Sequence, residues 1–209
     1  MSDKNHQSIN DKIEQLTINH YEFNAESFWQ DTRDHDVSQN INAFLQAMPN
    51  SQDLDILDFG CGPGRDLAIF KQLGHRPIGL DGSAAFCAMA QQYSACTVLH
   101  QQFLNLDLEP ESFDGIYANA SMFHIPSQEL SSVLAACHRA LKPHGILFTS
   151  NPRGDAEGWQ GERYGHYMEF EVSRLYLEQA GFSVLDHYYR PEGKPRQEQH
   201  WLAMVSQRN

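Results

Sequence analysis

The 209-residue sequence predicts an α/β domain: a mostly parallel sheet of seven strands with helices on both faces. Two observations lead there. Seven short apolar runs alternate with helix-length stretches between residues 54 and 207, the rhythm of successive βα units. The last two runs, FSVLDHYYR and QHWLAMVSQ, have only PEGKPRQE between them. That is too short for a helical crossover, so they should close as an antiparallel hairpin.

The elements follow in order. Residues 1–18 are polar and mixed in charge, and read as frayed or loosely helical. The next segment, NHYEFNAESFWQDT, gathers Tyr21, Phe23, Phe28 and Trp29. It either folds over a ligand as a lid or packs on the sheet as an amphipathic helix. Residues 1–36 are therefore set apart as an N-terminal tail and aromatic lid, with 37–209 as the main domain. Residues 38–48 carry Ile41, Phe44, Leu45 and Met48 at helical spacing, and MPNSQ ends that helix.

LDILDFG is a buried strand, and RDLAIFKQLG a helix closed by Gly74. RPIGLDGS is a strand ending at Asp81, followed by the helical AAFCAMAQQY. CTVLH and FDGIYANA are strands, SQELSSVLAACHRAL a helix, GILFTSN a strand and EFEVSRLYLEQAG a helix. Residues 151–170, NPRGDAEGWQGERYGHYMEF, read as a long loop.

Composition excludes several partners. The net charge is −12 with no Lys/Arg run, so a nucleic-acid backbone or an anionic membrane surface would be repelled. No apolar run approaches bilayer length, and the first residues lack a signal-peptide core. Cys61, Cys87, Cys96 and Cys137 are dispersed without C-x-x-C spacing, as expected of free thiols in a reducing, cytoplasmic setting. The eleven histidines form no H-x-x-x-H pair, and no metal site is expected.

The chemistry concentrates in LDFGCGPGRD. In a parallel sheet, ligands bind at the carboxyl ends of strands where the strand order reverses, and this turn follows the first strand. A dinucleotide fingerprint is G-x-G-x-x-G, but here Arg65 stands where its third glycine would be. Asp58, just before the turn, would repel a diphosphate and attract an ammonium or sulfonium. Asp81 follows Gly60 at the interval where an acid accepts ribose hydroxyls. Together they point to S-adenosylmethionine (SAM), an adenosine with a cationic amino-acid tail.

Residues 54–207 resemble class I SAM-dependent methyltransferases, especially small bacterial ones of the methyltransferase type 11 kind. The matching stretches are ILDFGCGPGRDL, PIGLDGS, FDGIYANASMFHIP, LKPHGILF, EQAGF and WLAMV. The resemblance implies a Rossmann-like methyltransferase fold. It also implies that Asp58 meets the methionine amino group, that Gly60 and Gly62 let the methionyl part lie on the backbone, and that Asp81 takes the ribose hydroxyls. Gly82 should pass beneath the adenosine. At the adenine end, where many members carry an acid, this sequence offers Gln102 with Phe103 beside it. In LKPHG, His144 replaces the usual glycine as a turn variant.

For the acceptor, a small molecule is expected. His124, after the fourth strand, is the candidate catalytic residue: a general base titrating near neutrality, or a group that lines the pocket or caps the next helix. Tyr21, Arg153, Arg163 and Tyr164 are candidate acceptor contacts, the arginines for a carboxylate and the tyrosines as an aromatic wall. Two other classes stay open: a non-catalytic SAM sensor and a nicotinamide oxidoreductase.

Overall fold

The computed structural model describes residues 2–49 and 52–209. The central sheet is built from β1 (Asp55–Phe59), β2 (Arg76–Asp81), β3 (Thr97–His100), β4 (Phe113–Asn119), β5 (Leu141–Pro152), β8 (Phe182–Arg190) and β9 (Trp201–Arg208). A separate hairpin of β6 (Glu157–Gln160) and β7 (Arg163–His166) lies between β5 and β8 in the chain. The sheet order is β3-β2-β1-β4-β5-β9-β8, and β9 runs antiparallel to both of its neighbours. The expected seven strands and closing hairpin are present. Chain order reverses between β1 and β4, which opens a crevice at their carboxyl ends.

β1 is buried at four of five positions, Asp58 among them, because both of its faces are covered. On one side Leu57, Phe59, Ile116 and Leu147 pack against α6 (Ser127–Ala140) and α7 (Phe170–Gln179). On the other, Ile56, Tyr117 and Phe148 meet Phe44 of α3 (Ser38–Ala47) and Phe70 of α4 (Arg65–Gln72). α5 (Ala84–Ser94) is capped by Ser83, whose Oγ accepts the Phe86 N–H at 3.1 Å. Where β5 meets β4, Leu141 pairs with Phe113 and Ile146 with Gly115. His144 turns the intervening bulge at φ +64°, as its place in LKPHG implied.

Two expectations are corrected. Residues 2–23 are not frayed: they form one regular helix, α1 (Ser2–Phe23), followed by α2 (Ala25–Thr32). α1 docks through polar side chains. Asn10 Nδ2 donates to Glu129, Glu14 accepts the Leu104 N–H, and Thr17 Oγ1 accepts the Tyr164 N–H. At its last turn, Glu22 Oε2 accepts from Ser83 Oγ at 2.6 Å and Ala85 N at 3.0 Å. A carboxylate at the start of α5 also opposes the positive end of that helix dipole, and these donors hold its pKa below the usual value. Residues 151–170 are likewise not one long loop, since β6 and β7 pair across residues 161 and 162.

Candidate active site

The crevice between β1 and β4 opens into a cavity of about 650 Å³. Its floor is the turn at residues 60–64. Gly60 N and Cys61 N both donate to the Leu80 carbonyl, at 2.8 and 3.0 Å, which pins the turn to the end of β2. A Cβ on Gly60, at φ +75°, would lie 2.3 Å from Ser121 Cβ. One on Gly64, at φ +94°, would lie 2.8 Å from Ala90 Cα. Those two glycines are set by close backbone approach as well as by the left-handed conformation.

Two carboxylates face this floor. Asp81 Oδ2 accepts the Gly62 N–H at 3.0 Å and its Oδ1 the Ser83 N–H at 2.9 Å. Burial raises its pKa to about 6 in spite of those donors. Asp58 is 2 % exposed, and its Oδ2 has no hydrogen-bond partner among the described residues. Desolvation and then the neighbouring Asp66 carboxylate push its pKa far above the usual range, against the pull of Arg65. A buried carboxylate oxygen without a donor is costly, and an incoming ammonium would satisfy it.

Behind the floor lies a saturated polar network. Arg65 bonds Asp66 Oδ1 at 2.6 Å and the Thr32 carbonyl at 2.8 Å. Asn119 Nδ2 donates to Asp66 Oδ2, Asn40 to Asn119, and Tyr188 Oη to Asn40. This ties α2 and α3 to the end of β4, while Asp58 Oδ2 and the nearby buried Tyr117 hydroxyl stay without a partner among the described residues.

Six aromatic side chains, Tyr21, Phe28, Trp29, Phe86, Phe123 and Trp201, stand in the rest of the cavity wall, beside charged Asp36, Arg163 and Arg190. Tyr21 packs edge-on against Phe28 and His124, with ring centroids 5.5 and 5.4 Å apart. His124 is 9 % exposed. Its Nδ1 lies 2.6 Å from the Tyr164 carbonyl, which can only accept, so Nδ1 carries the proton. Nε2 is then the acceptor of the Tyr21 hydroxyl at 2.8 Å. Burial pulls the His124 pKa down to about 4, so the expectation of a group titrating near neutrality is corrected: the imidazole is neutral at neutral pH.

Residues 56–145 match a sequence profile described as a methyltransferase domain. The chain is 25% identical over 167 residues to the ubiquinone biosynthesis O-methyltransferase of Pasteurella multocida, covering 70% of this chain and 68% of that protein. It is 29% identical over 135 residues to the sterol 24-C-methyltransferase of Clavispora lusitaniae, covering 60% of this chain but 34% of that protein. The chain thus spans about a third of the sterol enzyme's length.

By sequence the chain is similar to methyltransferases over the residues that build β1 to β5.

The fold superposes on that of the 1,6-didemethyltoxoflavin-N1-methyltransferase of Burkholderia thailandensis, solved with S-adenosylhomocysteine (SAH). The TM-score is 0.76 at 22% identity, covering 96% of this chain and 90% of the other. The donor set of the cavity suits SAM: an unpartnered buried carboxylate for an ammonium, a second acid at the end of β2, and glycines that leave the backbone bare.

Of the residues singled out from the sequence, Asp58, Gly60, Gly62, Asp81, Gly82, Phe103, Tyr21, His124 and Arg163 all line this cavity. Three do not. Gln102 is half-buried, and its Nε2 donates to Gln15 at 3.2 Å. Arg153 is consumed by Glu169 at 2.8 Å and by the carbonyls of Gln199 and Arg196. Tyr164 sends its hydroxyl to Glu157 at 2.9 Å and serves the cavity through its carbonyl on His124. Glu14, Thr17 and Ile18 of α1 also line the cavity, and sequence reasoning missed them. They share a face with polar Asn10, while the apolar Ile9 and Leu16 of the same helix are exposed, so hydropathy points to the wrong face.

Among the described residues no helix is long and apolar enough to cross a membrane. The four cysteines are unpaired thiols.

Proposed function

We propose that the protein transfers the methyl group of SAM to a small-molecule acceptor by in-line displacement. The observation that carries this reading is the unpartnered oxygen of Asp58 at a glycine turn, in the same cavity as Asp81 and continuous with an aromatic chamber. Bound SAM supplies an electrophilic methyl on a sulfonium that is already a leaving group. What remains for the protein is to hold, align and dehydrate.

Asp58 would hold the ammonium and Asp81 the ribose hydroxyls, with Gly60, Gly62 and Gly82 leaving the backbone open to close approach. Residues 1–36 act as the lid: Tyr21, Phe28 and Trp29 cover the chamber and exclude water. The aromatic walls favour a flat, largely apolar acceptor. Arg163 reaches the Tyr21 hydroxyl at 3.3 Å and forms no ion pair among the described residues, so it is available to an acceptor's anionic or carbonyl oxygen. His124 orients Tyr21 and lines the chamber. With a pKa near 4 it is a weak base, which suits an acceptor atom that is already nucleophilic.

The net charge of −12 supports a small molecule over a nucleic acid, and the unpaired thiols support the cytoplasm. The test is calorimetric titration with SAM and SAH, followed by an acceptor screen read as SAH formed. Failure to bind either ligand would end the reading. Binding without turnover on any flat aromatic or heteroaromatic acceptor would replace it with a SAM-sensing role.

A further inference from the structure

The cavity that Asp58 lines contains a second unsatisfied acid. Glu14, on α1, is 7 % exposed. Its Oε1 accepts the Leu104 N–H at 3.0 Å, and its Oε2 is buried with no partner among the described residues. One helical turn on, Ile18 packs against Gly82: a Cβ there would meet Ile18 Cδ1 at 2.7 Å. Glu14, Ile18, Gly82, Phe103 and Leu104 border the same side of the cavity. Gln102, the polar side chain that the β3 loop could have offered, is half-buried and engaged by Gln15 and Asn105.

We infer that Glu14 is the residue that recognises the exocyclic amine of the donor's adenine, so base selectivity comes from the N-terminal helix and not from the loop after β3. This rests on the reading of the cavity as a SAM site. The chemistry is a matching of deficits. A carboxylate oxygen removed from water without a donor is destabilised, and desolvation accordingly lifts the Glu14 pKa to about 7. Of the polar groups on the adenine ring, only the 6-amino group donates. α1 is fixed for the task at both ends of the contact, by Asn10 on Glu129 and by Glu22 on Ser83 and Ala85.

The test compares SAH with its 6-desamino analogue, in which purine replaces adenine, by calorimetry on the full chain. Wild type should prefer SAH by about 10-fold or more, the scale of a hydrogen bond to a buried charged group. Glu14→Gln keeps an acceptor for Leu104 N and should shrink that preference by at least about threefold, because the charge is gone. Glu14→Met should bring it close to unity. Gln102→Ala should leave it intact.

An unchanged preference in Glu14→Gln overturns the assignment, and so does its loss in Gln102→Ala. Equal affinity of the wild type for both ligands overturns it without any variant. If the wild type binds neither ligand, it is the SAM reading itself that fails.

Discussion

The Tyr21 hydroxyl donates to His124 Nε2 across 2.8 Å, joining the N-terminal helix to the end of β4 over the cavity. His124 is held for this contact from behind by the Tyr164 carbonyl on Nδ1. The N-terminal helix and the cavity wall are therefore linked by a pair whose proton positions are fixed by a backbone carbonyl.

That pairing predicts how His124 behaves. Its folded pKa of about 4 lies below the ordinary 6.5, so between those values the unfolded chain holds the proton and the folded protein does not. Its contribution to stability is present above about 6.5 and is lost as pH falls toward 4. Nitrogen-15 NMR should show a neutral, Nδ1-protonated ring at pH 6. Turnover at saturating SAM should show no acidic limb near 6.5 that His124→Gln removes. An imidazolium signal at pH 6 would show that burial does not control the ring.

Asp58→Asn should weaken SAM binding by about 1.5–3 kcal/mol, the value of a charge-assisted bond to an ammonium. The variant should bind 5′-methylthioadenosine, which lacks the amino-acid tail, as wild type does. Because the substitution also removes a buried, unsatisfied charge, the ligand-free protein should be at least as stable as wild type. Titration with both ligands decides: equal losses would mean that Asp58 only supports the turn.

Glu14 predicts a pH dependence of opposite sign to that of His124. Its folded pKa of about 7 exceeds the ordinary 4.5 through desolvation first, with Asp11 and Glu129 adding repulsion. The folded protein thus binds the proton more tightly, and stability falls as pH rises from about 4.5 to 7. Glu14→Gln lacks this slope. Its Tm relative to wild type should rise by a few degrees, roughly 2–6 °C, between pH 5 and pH 8 in the absence of ligand. Taking the difference cancels the contributions of His124 and Asp81. A difference that is flat with pH would show that Glu14 is solvated.

Gly60→Ala should destabilise the fold by about 2–4 kcal/mol, combining left-handed strain with overpacking. The new methyl would lie 2.3 Å from Ser121 Cβ, and Ser121 is itself fixed by donating to the Phe59 carbonyl at 2.6 Å. Urea denaturation measures the loss. Replacing Ser121 by glycine in the same chain should recover part of it, since the clash is with that side chain. No recovery would assign the whole cost to backbone strain.

The sequence by itself determined the α/β class, the seven strands, the closing hairpin and the donor floor. These depend on short-range signals: apolar runs of strand length, the glycines between β1 and α4, and acids placed at strand ends. Asp58, Asp81 and the turn fall where those signals put them because a strand end is defined locally, and the parallel sheet then gathers strand ends into one crevice.

Only the tertiary structure decided what covers that crevice. α1 buries Asn10, Glu14 and Thr17, a polar stripe that hydropathy reads as solvent-exposed. Its burial is possible because Glu129, Leu104 and Tyr164, all more than eighty residues away in the chain, supply partners. β6 and β7 escaped notice because EGWQ and RYGH are four-residue, glycine-containing strands with no alternation to mark them. Arg153 and Tyr164 were drawn off by Glu169 and Glu157, choices that depend on which acids fold nearby. The low pKa of His124 has the same origin: its value is set by how much water is excluded around the ring, and that depends on a helix a hundred residues earlier.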